Sequence, residues 1–243
     1  MLGAGAGALF TKAEIPPVWH FFSMSALAMI LQIWAAQNLV ADPSGPSEAE
    51  ADAGFQLPAK ALLGIGLITF CSMLGEVAMA DWSTIYMREV ALSDAALAPV
   101  ALGAFSTAMM IGRILGDGGR TRFGDDKLLV FNSLLSLAGV ALFIIWPQPW
   151  TVITGLFLVG LGLSVIVPIA YSTAGAMPGI APGVGISMVT TIGYSGFLFG
   201  PPIIGFVADW QGLQTAMLFV VGLFLLMTVL SVRRGLQRPQ EAV

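Results

Sequence analysis

From Leu128 to Ala208 the chain carries no Asp, Glu, Lys or Arg. Charged residues are about a quarter of ordinary sequence and coat soluble surfaces, so a water-soluble domain cannot accommodate such a run. At roughly 20 apolar residues per crossing of a ~30 Å hydrocarbon layer, it holds three membrane spans and their turns. Backbone amides in lipid must be satisfied internally, which leaves helices or a closed barrel. A barrel requires apolar/polar alternation in short strands. Leu156–Val167 is apolar apart from Ser164 and shows none. The expected fold class is all-α, a polytopic transmembrane helical bundle.

The rest of the sequence agrees, with 57% hydrophobic residues, 10% charged residues and a mean hydropathy of +0.88. The acidic pI of 4.8 owes much to Asp42, Glu48, Glu50 and Asp52, which sit in one polar stretch. No basic groove with interleaved aromatics is present, which argues against nucleic-acid partners. Cys71 is the single cysteine, so neither a disulfide framework nor a cysteine-rich metal site is expected. The scattered Met residues read as packing filler. The N-terminus lacks the basic n-region and cleavage site of a removable signal peptide. No G-x-x-x-x-G-K-[ST] loop occurs, so no nucleotide cofactor is expected. Enzymatic chemistry would need clustered nucleophiles, bases or metal ligands. One His, one Cys and one acid in a hydrophobic run, far apart in sequence, supply no catalytic set.

Seven spans are expected: Val18–Val40, Ala59–Ala80 with a helical extension towards Tyr86, Ala95–Gly116, Leu128–Trp146, Trp150–Tyr171, Gly183–Val207 and Leu213–Val232. Pro16 and Pro17 start the first, and Ala41–Leu57, rich in Pro, Ser, Gly and acid, reads as a flexible loop. Trp146, Trp150 and Trp210 mark span ends at headgroup level. With Ala41–Leu57 inside, Lys60, Arg113, Arg120, Arg122, Lys127, Arg233, Arg234 and Arg238 also lie inside, and only Lys12 and Arg88 lie outside. The positive-inside rule then places the C-terminus in the cytoplasm of a bacterial inner-membrane protein. Met1–Phe10 is apolar but covers only about 15 Å as helix. It reads as the severed end of a preceding span, followed by a short external turn at Thr11–Ile15, or as an interfacial leader.

One span, an acidic linker and six spans with a basic loop between the second and third of the six resemble part of a major facilitator superfamily (MFS) transporter. The resemblance rests on Gly75-Glu76 through Asp81-Trp82-Ser83, on Gly112-Arg113-Ile114-Leu115-Gly116-Asp117 through Arg122-Phe123-Gly124, and on Gly193-Tyr194-Ser195-Gly196 through Gly200-Pro201-Pro202. It implies residues 1–40 as the remnant of an N-terminal half and 41–58 as a cytoplasmic linker. Residues 59–232 then form a C-terminal six-helix domain and 233–243 a cytoplasmic tail. It also implies a central cavity lined by Ala59–Ala80 and Trp150–Tyr171. The sequence departs from the family pattern at Thr121, where an acid usually precedes the Arg-aromatic-Gly run, and at Asp125 and Asp126, which replace basic residues.

Several residues stand out on physical grounds. Gly112 and Gly116 form a small-xxx-small face for close helix approach. Arg113 and Asp117, four apart, are placed to pair along the helix. With Asp117 facing a short loop bearing Arg120 and Arg122, the cluster reads as a cytoplasmic gate or as a topogenic basic loop. Glu76 is the one acid well inside a hydrophobic run, a functional candidate by default. Thr69, Ser72, Glu76 and Ser83 share helical spacing, suggesting a polar cavity face. Sixteen residues past Lys60, Glu76 would sit roughly 24 Å up the helix, towards the outer leaflet. There it reads as an external gate or proton site, or as a snorkelling acid paired with Arg88. Asp81 and Trp82 read as the outer cap and anchor of that span, and His20 as an interfacial residue of the first. Ser187, Thr191 and Tyr194 lie on one face of the sixth span, with Ser195 beside them, as transport-path candidates or as ordinary back-bonded hydroxyls. Gly196 and Gly200 form a second close-packing pair, and Pro201-Pro202 is expected to break or bend the helix. Ser164, Pro168 and Tyr171 resemble the same device in the fifth span.

The function expected is secondary transport of small solutes by alternating access, driven by an ion or proton gradient or by the solute's own gradient. A missing N-terminal six-helix half would be the partner. The alternative is a non-transporting assembly half or remnant.

Overall fold

The computed structural model describes residues 16–37 and 60–237. The expectations for Met1–Phe10, Thr11–Ile15, Ala41–Leu57 and Arg238 lie outside the described residues. The chain divides into two units, Met1–Ala51 and Asp52–Val243.

In the first unit, α1 (Pro17–Gln37) has 21 residues, about 32 Å of helix, enough to cross the hydrocarbon layer. Pro17 opens it, a position where the missing N–H is harmless. Ser23 Oγ donates to the His20 carbonyl at 3.0 Å.

The second unit is a bundle of α2 (Lys60–Glu89), α3 (Ala98–Phe123), α4 (Asp125–Ile145), α5 (Pro149–Leu163), α6 (Ile166–Gly175), α7 (Pro182–Gln211) and α8 (Leu213–Gln237). Prolines begin α5 and α7 and sit in the first turn of α3. Counting α5 and α6 as one interrupted span, the described residues hold 7 segments long and apolar enough to cross a membrane. The turns are very short. Gly124 alone separates α3 from α4 and Gly212 alone separates α7 from α8, with φ of 79° and 84°. Such backbone angles suit only a residue without a Cβ.

Helix α2 is the hub, packing on α3, α7 and α8. Its buried face runs from Leu62 and Ile65 through Leu74 and Ala78 to Tyr86 and Met87. The Tyr86 hydroxyl donates to the Phe143 carbonyl of α4 at 3.3 Å, and the two rings meet edge to face at 5.1 Å. Water offers no hydrophobic drive inside a bilayer, so close packing through small residues holds the helices together. Gly196 and Gly200 of α7 lie against Leu74 of α2, and Gly112 and Gly116 of α3 lie against Ser164 and Val165. Gly139 of α4 and Gly155 of α5 meet backbone to backbone.

Two expectations need correction, the cap at Asp81 and the loop at Arg120. The helical extension expected towards Tyr86 is present and reaches Glu89, so Asp81 and Trp82 lie within α2 and cap nothing. At 30 residues the helix is about 45 Å long and outreaches the hydrocarbon layer. Helix α3 likewise runs to Phe123, which places Arg120 and Arg122 in its last turn and not in a loop. Of the two outcomes expected at Pro201 and Pro202, a break does not occur: α7 stays helical to Gln211, with Gly196 and Gly200 packed on α2 where the ladder loses donors. The fifth span is interrupted where Ser164 and Pro168 suggest it: Ser164 and Val165 separate α5 from α6. Pro168 has no N–H to offer the Ser164 carbonyl four residues earlier, and the Ser164 hydroxyl turns back to the Leu161 carbonyl at 2.6 Å.

Candidate functional site

Glu76 sits near the midpoint of α2, and Arg113 lies a little past the midpoint of α3. Their side chains meet across the two helices, Arg113 Nη2 to Glu76 Oε1 at 3.8 Å. Two consequences follow. Arg113 pairs with Glu76 on another helix and not with Asp117 on its own. Glu76 is matched by Arg113 and not by Arg88.

The pair is neither sealed nor free. The Glu76 side chain is 28% exposed and that of Arg113 is 56% exposed. Each charge alone in a span costs about 2.5–3.5 kcal/mol on insertion scales. At this separation, mutual attraction is about 4 kcal/mol for an effective dielectric constant near 20. Pairing therefore makes both tolerable, and neutralising one partner strands the other. The surroundings keep the helices close: Gly112, next to Arg113, packs on Ser164 at the α5–α6 break, and Gly75, next to Glu76, packs on the Phe224 ring of α8. A side chain larger than hydrogen at either glycine would push a wall away from the pair.

The hydroxyls expected beside Glu76 are placed differently. Thr69, Ser72 and Ser83 are buried inside the bundle. Thr69 Oγ1 donates to the Ile65 carbonyl at 2.8 Å, and Gly193 of α7 packs over its methyl group. These residues therefore line no open cavity. The face of α7 is different, because Ser187, Thr191 and Tyr194 are all exposed along it. Its hydroxyls are partly occupied, with Ser187 donating to the Val184 carbonyl at 2.9 Å and Thr191 to the Ser187 carbonyl at 2.8 Å.

A second charged cluster closes the end of the bundle at the α3–α4 turn. Arg120 grips Asp125 through Nε and Nη2 at 2.9 and 3.1 Å. Arg234 of α8 donates to Asp126 Oδ1 at 3.2 Å and to Thr173 Oγ1 of α6 at 3.4 Å. Arg122 lies over the Phe123 ring, 5.4 Å from its centroid. The acids that tie this end together are Asp125 and Asp126, and Asp117 is exposed on α3 without an ion pair among the described residues. Sequence spacing missed this, since Arg234 lies 108 residues from Asp126. A double-mutant cycle of Arg234→Gln and Asp126→Asn, read as unfolding midpoints in detergent, is expected to give a coupling of about 1 kcal/mol that shrinks in high salt.

Membrane-length apolar helices packed through glycine, with an ion pair held between two of them, define a polytopic helical membrane protein. No family model matches the chain. It is 34% identical over 171 residues to the membrane protein MosC of Rhizobium meliloti, covering 70% of this chain and 42% of MosC. It is 30% identical over 238 residues to an MFS-type transporter of Yersinia pestis, covering 98% of this chain and 61% of that one. In fold it is similar to the Escherichia coli fucose:proton symporter FucP, with a TM-score of 0.68 at 20% identity over 87% of this chain and 54% of that one. A peptide transporter POT crystallised with sulfate gives 0.65 at 20% identity, over 80% of this chain and 41% of that one. The chain is similar in sequence and fold to transporters of the major facilitator superfamily, and it spans about half the length of the relatives it matches.

Proposed function

We propose that this chain forms a six-helix flank of a secondary transporter for small solutes, and that the Glu76–Arg113 pair is its coupling element. The observation that carries this reading is the ion pair itself, at mid-helix and partly open. Maintaining two charges at such depth costs free energy that packing alone does not require. With Glu76 ionised, the pair holds α2 to α3. A proton taken up by the carboxylate removes the attraction and leaves the Arg113 guanidinium to solute or water, and release of the proton on the other side restores it. Gradient and conformation are thereby linked through one bond that forms and breaks. FucP is a proton symporter by name, which supports a proton as the coupling ion.

The exposed hydroxyl face of α7 supplies neutral polar groups to a shared cavity, and a second flank would complete that cavity in the working transporter. The cation-rich end around Arg120, Arg122, Lys127, Arg233 and Arg234 faces the cytoplasm of a bacterial inner membrane in this reading. Arg113 drops out of the orientation argument because it lies along the length of α3 and pairs with Glu76 of α2, not in a loop.

The experiment is uptake of a solute panel by vesicles carrying the complete reading frame, with and without an imposed proton gradient. At least one solute is expected to accumulate only with the gradient, and Glu76→Gln should abolish accumulation while leaving exchange of that solute intact. Uptake with the same rate and pH profile in wild type and Glu76→Gln would remove Glu76 from coupling.

A further inference from the structure

At the charged end of the bundle an open groove of ≈ 760 Å³ runs down the outside of α4 beside α8. Its walls are apolar, made by Phe123, Phe131, Leu134 and Val232, and its mouth carries Asp125, Asp126 and Lys127. From Lys127 to Leu134 the groove descends about 10 Å along the helix. That is a charged mouth over an apolar slot, the form of a headgroup joined to acyl chain.

The sign of the mouth follows from its partners. Asp125 is taken by Arg120 and Asp126 by Arg234. Lys127, Arg122 and Arg233 are exposed and make no ion pair among the described residues. Asp117, the remaining acid near this end, lies on α3 two turns before Gly124 and does not line the groove. The uncompensated charge around the mouth is therefore positive. We infer that the groove seats an anionic phospholipid of the leaflet that meets this end, its phosphate on Lys127 and its upper chain against Phe131 and Leu134. Charge complementarity selects the headgroup, since a zwitterionic lipid brings its own cation to a mouth that already has one. The Phe131 ring, 61% exposed, stands in the groove as a flat surface for methylene groups. A seated lipid would bridge α4 and α8 beside the Arg234–Asp126 bond and so bear on the stiffness of that end.

The full chain is purified into nanodiscs of phosphatidylglycerol and phosphatidylcholine, and retained lipid is read by native mass spectrometry after release. Phosphatidylglycerol should be retained preferentially. Lys127→Gln should lower that preference about fivefold, the expected share of one basic residue near a membrane surface. Lys127→Arg should keep it, and Arg88→Gln, at the opposite end of α2, should leave it unchanged. Equal retention of the two lipids by the wild type would overturn the assignment, as would a Lys127→Gln preference equal to wild type. Efficient cross-linking between two copies through Phe131→Cys in lipid would also overturn it, by showing that a second chain covers the groove.

Discussion

Arg113→Gln is expected to destabilise the protein by about 2 kcal/mol, read as a lower unfolding midpoint in detergent, while Glu76→Gln/Arg113→Gln together recover most of that loss. The asymmetry is the content of the prediction. Removing one member of an ion pair within a span leaves the other charge without its partner in a medium that solvates it poorly. Removing both replaces the pair by two amides, which bond to each other or to backbone at little cost. If Arg113 were a topogenic residue only, the single and double variants would lose the same small amount. The non-additivity of the cycle separates the two cases. The Arg113→Lys variant refines it, because an ammonium keeps the charge and loses the planar fork.

The second large effect concerns the α4–α5 crossing. A Cβ built on Gly155 falls 2.5 Å from the Gly139 carbonyl oxygen, and one built on Gly139 falls 2.6 Å from the Gly155 carbonyl oxygen. Both obstacles are backbone, so no rotamer change relieves them. Gly155→Val is expected to cost about 3 kcal/mol, the upper end of overpacking effects, because two whole helices must separate. Gly139→Val should act similarly, and the pair together should cost less than the sum, since the first substitution already opens the crossing. Gly64→Ala is the control: nothing lies within 4 Å of its added carbon, and alanine is the better helix former. Equal losses in Gly155→Val and Gly64→Ala would mean that the crossing is not the tight contact it looks.

These two predictions also show how far the sequence could be read. The glycine pairs Gly112/Gly116 and Gly196/Gly200 were legible because small residues four apart fall on one helix face, whatever that face meets. The same logic placed Ser187, Thr191 and Tyr194 together. Periodicity describes one helix at a time, however, and the central feature of this bundle joins two. Arg113 had a partner at the right spacing in Asp117, and nothing along α3 says that its side chain reaches across to Glu76 instead. The Asp126–Arg234 bond was hidden for the same reason. Asp81 marks no span end, because Tyr86 and Met87 beyond it are buried and α2 stays helical to Glu89. Proline was an uneven guide, sound at Pro168. Pro201-Pro202 left α7 continuous, while the single Pro168, four residues after a serine whose hydroxyl returns to the Leu161 carbonyl, accompanies a break.

The claim on which the functional account depends is that the Glu76 carboxylate, held inside the bundle by Arg113, changes its protonation state. Infrared difference spectroscopy of the reconstituted protein across a pH titration observes that proton directly, without knowledge of the solute. The account predicts a carbonyl band of protonated carboxyl that appears as pH falls, is missing from Glu76→Gln, and titrates at a different midpoint in Arg113→Gln. Identical difference spectra for wild type and Glu76→Gln across the whole titration would contradict it.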